Sequence, residues 1–161
     1  MSGPNNVRVS KTDRPGAGFR CEFGGWIYLR VEGAPYDRGW HHGFLLADEI
    51  RAALHSIAEL LLQDTGLPFE WYASNAEAMW RDQLYSNDGG KLSDDSGRQI
   101  FLELQGIVDG ANDNSCSGDR SISLADLLGW NGYPEMICHG SLQLCRELSS
   151  QPCQFQATPN D

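Results

Sequence analysis

The stretch Val31–Ile50, VEGAPYDRGWHHGFLLADEI, decides how the chain enters its helices. A turn rich in glycine and proline is followed at once by an apolar pattern of helical period. Two adjacent histidines, His41 and His42, stand between two glycines at that transition. Successive helical side chains point about 100° apart, so the two rings do not converge on one metal ion. We therefore expect a structural role for both, with one ring packed inward and the other exposed.

The residues before this stretch alternate in the manner of a strand. In Gly24–Val31, GGWIYLRV, the apolar residues Ile27, Leu29 and Val31 occupy every second position. A period of two between glycines is typical of a half-buried strand. The preceding residues are rich in Gly, Pro, Asn and charge, so we expect a flexible arm over residues 1–23.

Apolar residues at helical spacing predict four helices. The first carries one stripe, formed by Trp40, Phe44, Ala47, Ile50, Leu54, Ile57 and Leu61. The second spans roughly 70–84 and the third roughly 98–111. The fourth begins at Ser123, whose hydroxyl is placed to cap the helix ahead of Asp126. The predicted fold class is predominantly α with a short N-terminal β-strand.

The composition changes near the C-terminus. From Gly140 onward the chain is rich in Ser, Gln, Pro and Cys and has no clear periodicity. We therefore expect three regions: the arm 1–23, a helix-rich region 24–139, and an atypical, disordered tail 140–161.

The overall charge excludes some functions. The chain has 161 residues and a net charge of −10, which argues for one acidic domain. Its only lysines are Lys11 and Lys91, and the arginines are scattered. Without a basic patch to neutralise phosphates, we expect neither nucleic acid nor an anionic membrane as a partner.

Neither a membrane span nor a secretion signal is predicted. No apolar run approaches the ~18–20 residues that cross a bilayer, and the N-terminus lacks the hydrophobic segment of a signal peptide. We expect a cytoplasmic location, where the five unevenly spaced cysteines would be free thiols.

The cysteines suggest no metal or cofactor site. The segment CHGSLQLC fits no spacing of zinc ligands. Cys116, in NDNSCSGD, has the most nucleophile-like setting, but Arg120 is the only nearby cation that could lower its pKa. A solvated loop cysteine is the preferred interpretation, and an enzyme that pairs Cys116 with His41 or His55 has no positional support.

Two glycines and two carboxylates lie in the predicted third helix. The segment QGIVDGA lacks the strand–loop–helix context of a phosphate-binding loop. Close contact between helices explains Gly106 and Gly110 better. Glu103 and Asp109 could pair as acid and base, but nothing in the sequence positions them around a substrate.

The segment WNGYPEM offers candidate pocket residues. Asn131 and Glu135 are four residues apart on one helix face, beside Trp130 and Tyr133. A polar pair in an aromatic setting could line a substrate pocket. A capping or core hydrogen bond explains it equally well, and the two alternatives stay open.

Three stretches, in order, resemble the acyl-coenzyme A:6-aminopenicillanate acyltransferase family, the C45-type peptidase relatives among the N-terminal-nucleophile hydrolases. The opening motif, G-x-P-[YF]-x-x-G-x-x-H-G, is met by Gly33, Pro35, Tyr36, Gly39, His42 and Gly43. The second, E-[LI]-x-G-I-[AV]-x-G-A, is met by Glu103, Leu104, Gly106, Ile107, Val108, Gly110 and Ala111. The third, [LI]-x-x-L-x-x-[LW]-N-x-x-x-E, is met by Leu124, Leu127, Trp130, Asn131 and Glu135.

The resemblance implies a four-layer αββα fold and a precursor that cuts itself before a cysteine. That cysteine would supply the attacking thiol, and its new α-amine would be the base. Such enzymes cleave or transfer acyl groups at amide bonds of acylated amines, small peptides and β-lactam nuclei. In the family the histidine of the opening motif belongs to the fold, so the resemblance implies a structural His42.

The sequence departs from the family where the nucleophile should lie. The family has a Gly–Cys–Ser/Thr junction after the third motif, and this chain contains no Gly–Cys pair. We therefore expect the N-terminal part of such a hydrolase, inactive alone. It is either a subunit that awaits a catalytic partner chain or a truncated copy whose tail after about His139 is out of register with the family, and we expect it to self-associate or to depend on a partner. The alternative is a non-enzymatic helical binding module.

Overall fold

The computed structural model describes residues 8–12, 14, 16–85 and 94–150 of the chain. Its elements are β1 (Arg8–Lys11), β2 (Ala17–Phe23), β3 (Trp26–Glu32), α1 (Pro35–Leu45), α2 (Ala47–Thr65), α3 (Phe69–Tyr85), α4 (Asp94–Asp113) and α5 (Leu124–Ser150). The described part is mostly helical with a small antiparallel sheet, which confirms the coarse fold class.

The three strands form one antiparallel sheet in the order β1-β2-β3. Gly24 and Gly25 connect β2 to β3 with φ angles of 58° and 81°. A type I′ turn requires positive φ at both of its central residues, which glycine adopts without steric cost. Phe23 and Trp26 flank this turn as a cross-strand pair.

The structure corrects the expectation of an unstructured N-terminal arm. β1 and β2 occupy most of residues 8–23, where glycine, proline and charge suggested a loop. All seven residues of β2 pair with β3, and such a partner supports residues that rarely form strands alone. The predicted strand was therefore one of three, and residues 1–7 lie outside the described part.

The predicted first helix is two helices in the structure. Its apolar stripe continues across α1 and α2, but the chain bends at Leu46, with φ −119° and ψ 25°. The bend has a packing reason. α1 lies on the backbone of α4, whereas Ile50 and Leu54 of α2 join the core shared with α3 and α5.

Helices α2 to α5 bury a common apolar core. Its buried members are Ala47, Ile50, Leu54, Leu61, Phe69, Tyr72, Ala73, Val108, Ala111, Ile122 and Leu127. The predicted cap of α5 is confirmed: the Asp126 N–H donates to Ser123 Oγ over 3.2 Å, and the Ser123 N–H donates to Asp126 Oδ2 over 2.8 Å. This reciprocal pair satisfies two N–H groups at the helix start.

Helix α5 is longer than the sequence suggested. It passes through Pro134, which has no N–H to donate to the preceding turn, and continues to Ser150. The backbone of residues 140–150 is therefore helical, although no periodicity predicted it. Residues 151–161 lie outside the described part, and the division of the chain after residue 139 stays a prediction.

Helices α1 and α4 cross with almost no side chain between them. Gly39 and Gly43 lie against the α4 backbone, and Gly106 and Gly110 lie against the α1 backbone. A Cβ atom built on Gly43 would come within 2.8 Å of the Ala111 nitrogen, closer than real Cβ atoms approach a neighbour. The predicted contact at Gly106 and Gly110 is confirmed, and two glycines of α1 complete it.

A methyl group in this crossing should separate the helices. We expect Gly43→Ala to lower the free energy of unfolding by about 2 kcal/mol or more, since overpacking adds strain to a well-packed contact. Gly132→Ala in α5 is the matched control, because its Cβ would meet Ala76 Cβ at 3.3 Å. There the gain in helix propensity offsets the contact. Urea unfolding followed by circular dichroism measures both, and equal midpoints would contradict the expectation.

Candidate functional site

The opening motif lies at the start of α1. Gly33 has a φ of 129°, a value that favours glycine, and Pro35 is the first residue of the helix, where its missing N–H costs nothing. Gly39 and Gly43 then face the second motif in α4. The glycines and the proline of these motifs thus occupy positions that a turn, a helix start or a close backbone contact requires.

His41 joins α1 to the sheet. Its side chain is 0% exposed, and its Nδ1 shares a hydrogen bond of 2.6 Å with Thr12 Oγ1. The ring lies edge-on to Trp40, with ring centroids 5.5 Å apart. A Cβ on Gly18 of β2 would come within 3.0 Å of the His41 ring nitrogen. His41 therefore anchors α1 to the sheet.

His42 is only half-buried on the other side of α1. Burial lowers the pKa of His42, and the nearby Glu103 carboxylate partly opposes that shift. The expectation of one inward histidine is confirmed by His41, while His42 is less exposed than predicted. Among the described residues, no group of three or more His, Cys, Asp or Glu side chains is placed to hold a metal ion.

Two carboxylates of α4 bind side chains of α1. The Tyr36 hydroxyl donates to Asp109 Oδ2 over 2.7 Å, and this bond is the main cause that raises the pKa of Tyr36. Arg38 Nη2 donates to Glu103 Oε2 over 2.6 Å. Glu103 and Asp109 therefore brace the helix crossing, and they do not face each other as an acid–base pair.

The three candidate pocket residues of WNGYPEM are not gathered around one point. Asn131 Nδ2 donates to the Leu127 carbonyl of its own helix over 2.8 Å, and Glu135 is exposed. Tyr133 is half-buried against the helical core. The Asn131 bond lies within the helix on an exposed residue, so it is neither a capping nor a core hydrogen bond, and the pocket role of these residues stays a prediction.

Cys116 is an exposed loop cysteine, as predicted. Its N–H donates to Asp119 Oδ2 over 2.8 Å, which closes the loop. Arg120, the nearest cation in the sequence, binds Asp126, with 3.0 Å between Nη2 and Oδ1. The structure places no activating partner beside this thiol among the contacts of the described residues.

A surface that the sequence analysis missed lies on the sheet. One sheet face meets the helices, because Gly18 contacts His41 and Arg20 binds Glu49 of α2. Alternation along a strand places the remaining residues on the opposite face. We call this the outer sheet face, and its aromatic and thiol side chains are Phe19, Cys21, Phe23, Trp26 and Tyr28.

The outer sheet face is strongly exposed. Trp26, Tyr28 and Phe23 are 73%, 57% and 47% exposed, and an open pocket of about 690 Å³ lies beside Phe19 and Tyr28. Contiguous exposed apolar surface of this kind marks an interaction site. The alternation of Phe19, Cys21 and Phe23 was a usable signal, but it lay within the segment interpreted as an arm.

Comparison of the whole chain with protein-family models, curated proteins and solved structures found no match. The resemblance to the C45-type hydrolases therefore stays a prediction that depends on the three motifs. No described helix combines the length and the apolar character that a bilayer crossing requires.

The lowered pKa of His42 predicts a pH-dependent stability. Below about pH 6.5, the ordinary histidine pKa, the unfolded chain binds this proton more readily than the folded chain does. The stability that neutral His42 contributes to the folded chain is therefore fully present above that pH. It is lost as the pH falls toward the lower pKa that His42 has in the folded state. His42→Gln should lose less stability between about pH 7 and pH 5 than the wild type. Urea midpoints at each pH measure this.

The matched control is His55→Gln on α2, since His55 is exposed and its ring lies 3.3 Å from the Glu59 carboxylate. This variant should keep the wild-type dependence on pH. The same slope in all three proteins would contradict the role given to His42.

Proposed function

We propose that this chain is the N-terminal, non-catalytic portion of a C45-like N-terminal-nucleophile amidohydrolase or acyltransferase. In this proposal a second β-layer, which carries the nucleophilic cysteine, packs on the outer sheet face. The complete enzyme would cleave or transfer acyl groups at amide bonds of acylated amines or small peptides.

The outer sheet face is the observation that carries the proposal. In a four-layer αββα arrangement, each sheet has helices on one face and the other sheet on the opposite face. Stacked sheets pack about 10 Å apart through apolar side chains. Here α1 lies against one face, which also reaches α2 through the Arg20–Glu49 ion pair, and the opposite face offers Trp26, Tyr28 and Phe23.

The motif residues support the same proposal. A motif that served catalysis would place reactive side chains together, whereas Gly39, Gly43, Gly106 and Gly110 serve a backbone contact. The first two motifs therefore have a structural role, which supports the proposal that they belong to a larger fold. This agrees with the structural role that the resemblance implies for His42.

The chemistry would come from the second layer. An N-terminal cysteine thiol attacks the acyl carbon of the amide and its proton passes to the cysteine α-amine. That amine returns the proton to the leaving amine, and a thioester remains. Water or an acceptor amine then takes the acyl group and regenerates the thiol. In the present 161 residues no Gly–Cys pair offers such a junction.

A helical binding module is the second candidate function, and the closed helical core favours it. Leu61, Phe69 and Tyr72 are buried without help from another chain. Several apolar residues at the α2–α3 corner remain exposed, namely Leu60, Leu62, Leu67 and Trp71. In this alternative the corner or the outer sheet face binds a partner that has no enzymatic role.

The surface can be tested on the chain itself. We expect the wild type to bind a hydrophobic dye and to self-associate in sedimentation velocity, because the aromatic side chains lie open to water. The double variant Trp26→Ser/Tyr28→Ser should lose most of both effects. Trp71→Ser, an exposed aromatic on α3, is the matched control and should retain them. A wild type that is monomeric and binds no dye would exclude a missing β-layer.

The hydrolase assignment is tested by activity. The purified chain should not hydrolyse acyl-amide substrates, and activity lost on Cys116→Ala would contradict that. DNA adjacent to the coding sequence, read in every frame, should encode Gly–Cys–Ser/Thr followed by strand-pattern sequence. Its product, co-expressed with this chain, should hydrolyse amides until that cysteine is replaced by alanine. Absence of any such segment favours the binding module.

A further inference from the structure

A second pocket lies away from the sheet, between α2 and the start of α5. Its volume is about 250 Å³. Leu54, Ala58 and Ile122 give it apolar walls, and two guanidinium groups, Arg51 and Arg120, line it as well. His55, Ser121 and Asp126 complete the lining. Two arginines around one small pocket are notable in a chain with 12 basic and 22 acidic residues.

The carboxylate in the pocket is already satisfied. Asp126 Oδ1 accepts from Arg120 Nη2 over 3.0 Å, and Oδ2 accepts from the Ser123 N–H and hydroxyl over 2.8 and 2.7 Å. These bonds also hold the first turn of α5. Asp126 therefore pairs with Arg120 and leaves Arg51 without a carboxylate inside the pocket.

Two nitrogen atoms of Arg51 have no hydrogen-bond partner in the described structure. Its Nη2 donates to the Ala111 carbonyl over 2.6 Å, but its Nε and Nη1 are buried and have no hydrogen-bond partner among the described residues. The nearest carboxylate oxygen, Asp119 Oδ2, is 3.9 Å from Nε. That oxygen already accepts the Cys116 N–H. The Arg51 side chain is 16% exposed and forms only this long ion pair with Asp119 among the described residues, and a shielded N–H group without a hydrogen-bond partner is costly.

We propose that this pocket binds a small monocarboxylate with an apolar body. The planar fork of a guanidinium matches the two oxygens of a carboxylate, and the walls from Leu54, Ala58 and Ile122 suit a hydrocarbon or aromatic group. Because Nε and Nη1 are shielded from water, Arg51 must turn toward the pocket as the anion enters. This inference is independent of the proposed hydrolase function, since none of the residues that line the pocket belongs to the sheet or to the matched positions of the three motifs.

Isothermal titration of the full chain with benzoate tests the proposal. We expect saturable binding that weakens at least tenfold in Arg51→Met, and Ala58→Met, which fills the apolar wall, should weaken it similarly. Arg98→Met, an exposed arginine on α4, is the matched control and should bind as the wild type does. Benzamide, the neutral analogue, should not bind.

Arg51 also holds the Ala111 carbonyl, so circular dichroism must show that Arg51→Met is folded. If it is not, Ala58→Met alone carries the test, with the same expected loss. Unchanged benzoate affinity in the folded pocket variants, equal affinity for benzamide, or tighter binding of inorganic phosphate than of benzoate would each overturn the proposal.

Discussion

The contact between α1 and α4 depends on four glycines, and the rest of the described structure depends on that contact. Glycine inside a helix costs about 0.5–1 kcal/mol relative to alanine, so four of them weaken both helices unless the close approach compensates. The compensation includes dense packing of two backbones and polar pairs across the rim. Those pairs are Tyr36–Asp109, Arg38–Glu103 and Trp40–Asp113. Larger residues would push these partners apart.

The crossing also decides which sheet face is free. Once α1 is fixed on α4, its opposite side carries His41 toward β2, where Gly18 leaves room for the ring. Thr12 closes this contact from the strand connection. Helix α1 therefore lies against the sheet face that carries Gly18. Trp26 and Tyr28 remain on the other, with no described element over them, and this asymmetry is the basis for a partner there.

The sequence predicted the features that depend on local pattern. Helical periodicity located most helices, the Ser123–Asp126 pair located one helix start, and the spacing of Gly106 and Gly110 indicated a close contact. It did not predict β1 and β2, because β2 is stabilised as a strand by its pairing with β3, and β1 by its pairing with β2. It also missed the bend at Leu46. The bend lets α1 pack on the backbone of α4 while α2 packs into the apolar core.

The candidate sites were less predictable for a related reason. The exposure of Trp26 and the unused donors of Arg51 are properties of what surrounds a residue, which no local pattern encodes. The prediction that Cys116 is a solvated loop cysteine is confirmed, because this residue is exposed. The sequence left the role of Asn131 open, because a helical polar residue can face a pocket or bond its own backbone, and only the packed helix decides.

The distribution of charge bears on which partner covers the outer sheet face. Residues 8–32 carry five basic and three acidic side chains, whereas residues 35–161 carry seven basic and nineteen acidic ones. Two copies that meet through their helices therefore repel each other, whereas residues 8–32 carry a net charge of +2 that attracts an acidic surface. A partner with a neutral or mildly acidic apolar face gains attraction there as well as burial. Electrostatics thus favours occupation of the sheet over association of the helical surfaces.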